Sequence, residues 1–157
     1  MYYSNNHDVL GEDIYDYRKM QSMMPGPFVM EILELNRRML IEYFNIKEIL
    51  RLINTYLIRR YISGQDTSAI TRFFPTALKN VLTYTAKFKF ENIVDICRYV
   101  LIDDTRQKST FMPDNEQVIQ YLSSSANAYV LQQTKWLLDK IENYNNPIKI
   151  NTSSLSI

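Results

Sequence analysis

From Phe28 to Leu57 the apolar residues fall at Phe28, Ile32, Leu35, Met39, Tyr43, Ile46, Leu50, Ile53 and Leu57, so eight steps of three or four cover 29 residues. That is the period of an α-helix, and a strand cannot bury such a set on one face. A flanking set (Leu33, Leu40, Phe44, Ile49, Leu52, Tyr56) widens the stripe beyond a two-stranded seam and calls for at least two packing neighbours. Pro27 suits the first turn, and Gly64 offers a stop after Ile62. Read as one long or mildly bent helix, residues 28–62 would extend about 50 Å. A rival start exists inside it, because Asn45-Ile46-Lys47-Glu48 has the form of a capping box.

The remaining elements are shorter or lie at the far end. Asp66, Thr67 and Ser68 can cap a short helix ending near Phe74, and Pro75 can open another to about Lys87. Residues 91–102 repeat the pattern with Ile93, Val94, Ile96, Cys97, Val100 and Leu101. A polar loop, 105–113, has Phe111 and Met112 as its apolar anchor. Asp114-Asn115-Glu116-Gln117 is a second capping box, leading a helix to about Asn143 whose weakest part is the small-residue run Ser123-Ser124-Ser125-Ala126-Asn127-Ala128. The expected fold is all-α: a bundle of four to five helices, two of them long, with extended N- and C-terminal arms. Residues 1–26 form an acidic-aromatic arm, 27–146 the helical core and 147–157 an extended arm with strand-like alternation.

Scarce residues narrow the chemistry. With only Cys97 and His7, the chain cannot supply the four Cys/His ligands of a structural zinc site, and His7 is the one histidine available to a Ser-His or Cys-His mechanism. Gly11, Gly26 and Gly64 stand too far apart for a phosphate-binding Gly-rich turn. Glu12-Asp13 and Asp103-Asp104 read as loop and capping carboxylates, since neither follows a calcium-loop spacing. Cys97 lies among apolar neighbours and reads as a buried small hydrophobe. No cofactor or metal is implied, and the expectation is a protein that is not an enzyme. The chain shows no secretory signal and no apolar run of membrane-spanning length, so a virion or cytoplasmic location is expected.

The net charge of +1 hides a segregation. Residues 1–17 carry four acids and no base; residues 18–98 carry 13 bases and 7 acids; residues 99–157 carry 5 bases and 6 acids. Arg37, Arg38, Arg59, Arg60, Arg72, Lys79, Lys87 and Lys89 form the candidate basic surface, with Tyr56 and Tyr61 beside it. Such a surface can neutralise phosphates, and non-specific contact with nucleic acid is one expectation. A helix-turn-helix over 66–102 would lack its turn glycine and an evident recognition helix.

The arms hold the other candidate contacts. Leu10, Ile14, Tyr15 and Tyr17 in front, and Ile148, Ile150, Leu155 and Ile157 behind, are regularly placed apolar residues with no position in the helical core, and disordered tails are usually poor in them. We expect the arms to order on other copies of the chain, the C-terminal one as an added strand and the acidic N-terminal one on a basic helix face. In architecture, long helices plus arms, the chain resembles the ring-forming head-to-tail connector proteins of tailed phages. Abundant Ile, Asn, Tyr and Lys, together 51 of 157 residues, fit a phage of a low-GC host. The resemblance implies a homo-oligomeric structural subunit that contacts copies of itself and other structural proteins. The alternative is a nucleic-acid-binding regulator using the basic central surface.

Overall fold

The computed structural model describes residues 25–66, 68–106 and 108–124. Within them the chain is helical, with no strand. The helices are α1 (Gly26–Arg37), α2 (Tyr43–Ile62), α3 (Ser68–Thr71), α4 (Phe73–Phe88), α5 (Ile93–Leu101) and α6 (Asn115–Ser123), with short 3-10 turns at Phe90–Asn92 and Asp103–Thr105.

The expected long first helix is broken. α1 ends in a turn in which the Met39 N–H donates to the Asn36 carbonyl (2.8 Å) and the Leu40 N–H to the Leu35 carbonyl (3.0 Å). That pair of bonds is a Schellman motif, and it places Met39 at φ 58°, a position glycine usually fills. The Asn36 side-chain amide then donates to the Ile41 carbonyl at 2.8 Å and holds the chain in the bend. α2 starts three residues before the rival start read from sequence: Asn45 is not the first cap but the third helical residue, and its Oδ1 accepts from the Glu42 N–H at 2.8 Å. The apolar period survives the break because both helices present their stripes to the same core.

The second long helix also differs from expectation. Its start is as read, with Asp114 Oδ1 accepting from the Gln117 N–H (2.8 Å) and Gln117 Oε1 accepting from the Asp114 N–H (3.0 Å). It ends at Ser123, where Ser124 turns to an extended conformation within the serine run. Short polar side chains that bond their own backbone favour such an end. The rest of that expected helix, from 125 onward, lies outside the described residues, as do both arms.

Stacking the apolar stripes gives one core. Phe28, Ile32 and Leu35 of α1, Ile46, Ile49, Leu50, Ile53, Tyr56 and Leu57 of α2, Phe74, Ala77 and Val81 of α4, and Ile93, Cys97, Val100 and Leu101 of α5 are all buried. Burial of each large side chain is worth about 1.5–3 kcal/mol. Its aromatic centre is Phe28 edge-on to Phe74 (centroids 6.2 Å apart), with Tyr56 stacked on Phe73 at 5.5 Å. α5 packs on α4 and α2, α1 on α2 and α4, and α6 on α2. Two buried hydroxyls are satisfied locally: Thr85 donates to the Val81 carbonyl and Thr105 to the Leu101 carbonyl, both at 3.0 Å.

Candidate functional site

The eight residues of the expected basic surface do not share a surface. Arg60 is a core residue at 3% exposure, which removes it from any docking face. Its Nη1 donates to the carbonyls of Ser109 (3.1 Å) and Phe111 (2.7 Å), its Nη2 donates to the Asp66 carbonyl (2.8 Å), and its guanidinium lies 5.8 Å from the Tyr56 ring centre. Arg59 reaches the Pro113 carbonyl (3.1 Å) and Asn115 Oδ1 (2.6 Å). The Tyr56 hydroxyl donates to the Thr110 carbonyl at 2.6 Å. Three side chains within about one turn of α2 thus clamp the loop before α6, while Met112 packs against the core. The Tyr56 phenol is pushed well above its ordinary range by burial, against the opposing pull of the Arg60 charge.

Arg37 is exposed but spent on Glu34, 2.7 Å away; the hydrogen bond from Arg37 is the main reason the Glu34 carboxyl titrates below its usual value. The same local pairing recurs at Arg51–Glu48, Arg98–Asp95, Arg106–Asp103 and Lys108–Asp104, all between 2.6 and 2.9 Å. The Asp103-Asp104 pair is therefore engaged with two cations, one each. Asp66 caps α3: its side chain accepts from the Ser68 hydroxyl and from the Ser68 N–H, and these bonds hold its carboxyl below the usual range. Each of these carboxylates sits on the surface and makes a surface contact of small worth.

What remains of the basic set is Arg38 at the α1 turn and four residues on or beside α4. Between Asp66 and Glu91 the sequence runs 24 residues with four bases and no acid. No carboxylate lies three or four positions from Arg72 or Lys79, and Glu91, four positions after Lys87, lies beyond the turn at Lys89 that ends α4. Among the described residues, none of these three nor Lys89 is in an ion pair. The helical period puts Arg72, Thr76, Lys79, Thr83 and Lys87 along one exposed line, opposite the buried Phe74, Ala77, Val81 and Thr85. Thr76 and Thr83 turn their hydroxyls back to the carbonyls of Arg72 (3.1 Å) and Lys79 (2.8 Å), leaving a floor of methyl groups between the cations. The Lys87 ammonium lies 5.2 Å from the Phe88 ring centre, and Phe88 is half exposed. This α4 stripe is a line of like charges that no ion pair among the described residues compensates.

Two exposed apolar clusters accompany it. Met39 and Leu40 are exposed in an open cleft of about 760 Å³ lined also by Glu42, Lys89, Phe90 and Glu91, and Phe44 and Phe88 are exposed at neighbouring positions in sequence. Lys89, at φ 69° and ψ 157°, turns the chain there from α4 toward α5. On α6, Ile119 and Leu122 are exposed and no residue of the helix is buried.

Among the described residues no three His, Cys, Asp or Glu side chains are grouped to hold a metal ion, and no helix is long and apolar enough to cross a membrane. The Cys97 thiol is fully buried, and burial pushes it up to about 12. Leu10, Ile14, Tyr15, Tyr17, Ile148, Ile150, Leu155 and Ile157 lie outside the described residues, and so does His7. Against known proteins, no family model, no curated protein and no solved structure matches the chain.

Proposed function

We propose that the protein is a non-enzymatic structural subunit of an oligomeric assembly, and in the finer form of that reading a head-to-tail connector or adaptor of a tailed phage. The observation that supports it is the distribution of exposed apolar side chains. Met39 (92% exposed), Met30 (66%), Phe44 (64%) and Ile119 (63%) stand out from the buried core. Met39 and Phe44 lie at the α1–α2 turn and Ile119 on α6, two separate faces of the kind a subunit touching two neighbours in a ring requires. The clamp of Tyr56, Arg59 and Arg60 fixes the loop before α6, and with it the angle at which α6 leaves the core. Mass measurement of the native full-length chain tests the reading: a defined multimer is expected, and a monomer at every concentration overturns it.

A second reading has its own supporting observation. The acid-free α4 stripe is what a nucleic-acid backbone would need, as a regulator would use it. Four phosphate contacts would make the affinity fall with salt at a log–log slope of about −3.6. A slope near zero in a titration with duplex and single-stranded oligonucleotides removes this reading.

A further inference from the structure

We infer that the α4 stripe is the seat of the chain's own acidic N-terminal arm, residues 8–17, and that Arg72, Lys79 and Lys87 bind its carboxylates. Two independent observations carry this. The first is charge. Elsewhere in the described residues, most exposed cations find a carboxylate three or four positions away. Two segments carry charge of one sign only: residues 67–90, with four bases and no acid, and residues 1–17, with four acids and no base. Their charges are equal and opposite, and each lacks at home what the other carries.

The second observation is where the arm joins the fold. It enters at Pro25, one turn before Phe28, and Phe28 packs edge-on against Phe74 in the first turn of α4. The arm therefore leaves the core near the N-terminal end of α4, the end that carries Arg72, and has to pass around the helix from its buried Phe74 side to reach the stripe. Twenty-four residues precede Pro25, and at about 3.3 Å per residue they reach some 80 Å, whereas Arg72 to Lys87 spans only about 22 Å of helix. The floor between the cations suits the occupant as well. Thr76, Thr83 and Ala86 are short, so a backbone can lie close, and the half-exposed Phe88 offers apolar surface for Leu10, Ile14 or Tyr17. A phosphate backbone would use the cations alone.

The inference rests on the assembly reading only for which copy supplies the arm, since the same seat accepts an arm from its own chain or from a neighbour, as in domain swapping. The test is made in the full-length chain, where buried Cys97 stays unreactive. Ile14→Cys is paired in turn with Thr76→Cys, with Thr83→Cys and, as a distant control, with Glu116→Cys on α6. Under mild oxidant, disulfide formation is expected with Thr76→Cys or Thr83→Cys and at background with Glu116→Cys. It is expected to be lost when Arg72, Lys79 and Lys87 are changed to Glu, and restored when Asp8, Glu12, Asp13 and Asp16 are also changed to Lys.

Equal cross-linking to α6, or cross-linking indifferent to charge reversal and rescue, overturns the inference. So does an oligonucleotide that binds the full chain through the three bases while cross-linking stays at background, which gives the stripe to nucleic acid. A cross-link at monomer mass or at dimer mass supports the seat equally. Monomer-mass cross-links in a chain whose native mass is also monomeric overturn the assembly reading while the seat stands; a native multimer without cross-links does the reverse.

Discussion

Met39 holds a left-handed backbone position that costs a non-glycine residue roughly 1–2 kcal/mol. Nothing offsets this through the side chain, which is 92% exposed. Met39→Gly is therefore expected to raise the unfolding free energy by about 1 kcal/mol, and Met39→Ala to give no gain, because alanine keeps the Cβ that causes the strain. Urea denaturation of the two variants checks this. Arg60 is the opposite case, a long cation whose geometry and not merely its charge is in use. Its guanidinium serves three carbonyls from two directions, and a lysine ammonium cannot span them. Arg60→Lys is expected to lose about 2–3 kcal/mol, since it leaves buried carbonyls unpaired. The loss should be accompanied by faster hydrogen exchange across residues 109–113, and a variant of wild-type stability would show that the clamp is incidental.

At the level of elements, α6 depends on a gap left by Gly64. The residue sits at φ 62°, and a Cβ there would run into the Tyr121 ring, with its Cζ at 2.5 Å. Gly64→Ala combines a strained backbone with a collision between α2 and α6. Its expected cost is about 2 kcal/mol, more than the usual 1 kcal/mol of a lost helix stop. Tyr121→Ala should recover part of it in a double-mutant cycle, whereas strictly additive effects would mean that α6 does not press on this turn. Gly64 was legible as a stop in the sequence because only glycine takes that conformation without strain. The matching turn at Met39 was not, since the same Schellman bonds were made by a residue that carries no such signal and the apolar spacing ran on across it. Starts were read better than stops: the Asp114 capping box and the cap at Asp66 stand as the sequence implied. Arg60 was misread as surface, and the engagement of half-buried Arg59 was missed, because their partners are mostly main-chain carbonyls about 50 residues away, and carbonyls leave no trace in side-chain patterning. The α4 stripe was half legible. Its bases were visible, but that none of them is in an ion pair among the described residues emerges only once the other cations are seen with their partners.

For the whole molecule, the near-neutral sum of charges says little, and the placement of protons in the core says more. Cys97 has no exposure, and burial pushes its thiol to about 12, while an unfolded chain releases that proton near 8.5. Burial raises the Tyr56 phenol as well, above the roughly 10 of an unfolded tyrosine. In both cases the folded state keeps a proton that the unfolded state gives up. Their stabilising contribution is therefore complete below the unfolded values and drains away as the pH climbs toward the folded ones. Between about pH 8.5 and 10 Cys97 is the group among the described residues that titrates in this sense, so the unfolding free energy should decline by up to about 1.4 kcal/mol per pH unit, and more steeply above pH 10 when Tyr56 joins. Cys97→Ala leaves a small cavity and lowers stability at every pH, so the informative quantity is the slope. Urea denaturation at half-unit steps from pH 7.5 to 10 should show the wild-type decline and a nearly flat line for Cys97→Ala. Parallel slopes would mean that the thiol is ionised in the folded protein too, and that water reaches the centre of the bundle where α2, α4 and α5 meet.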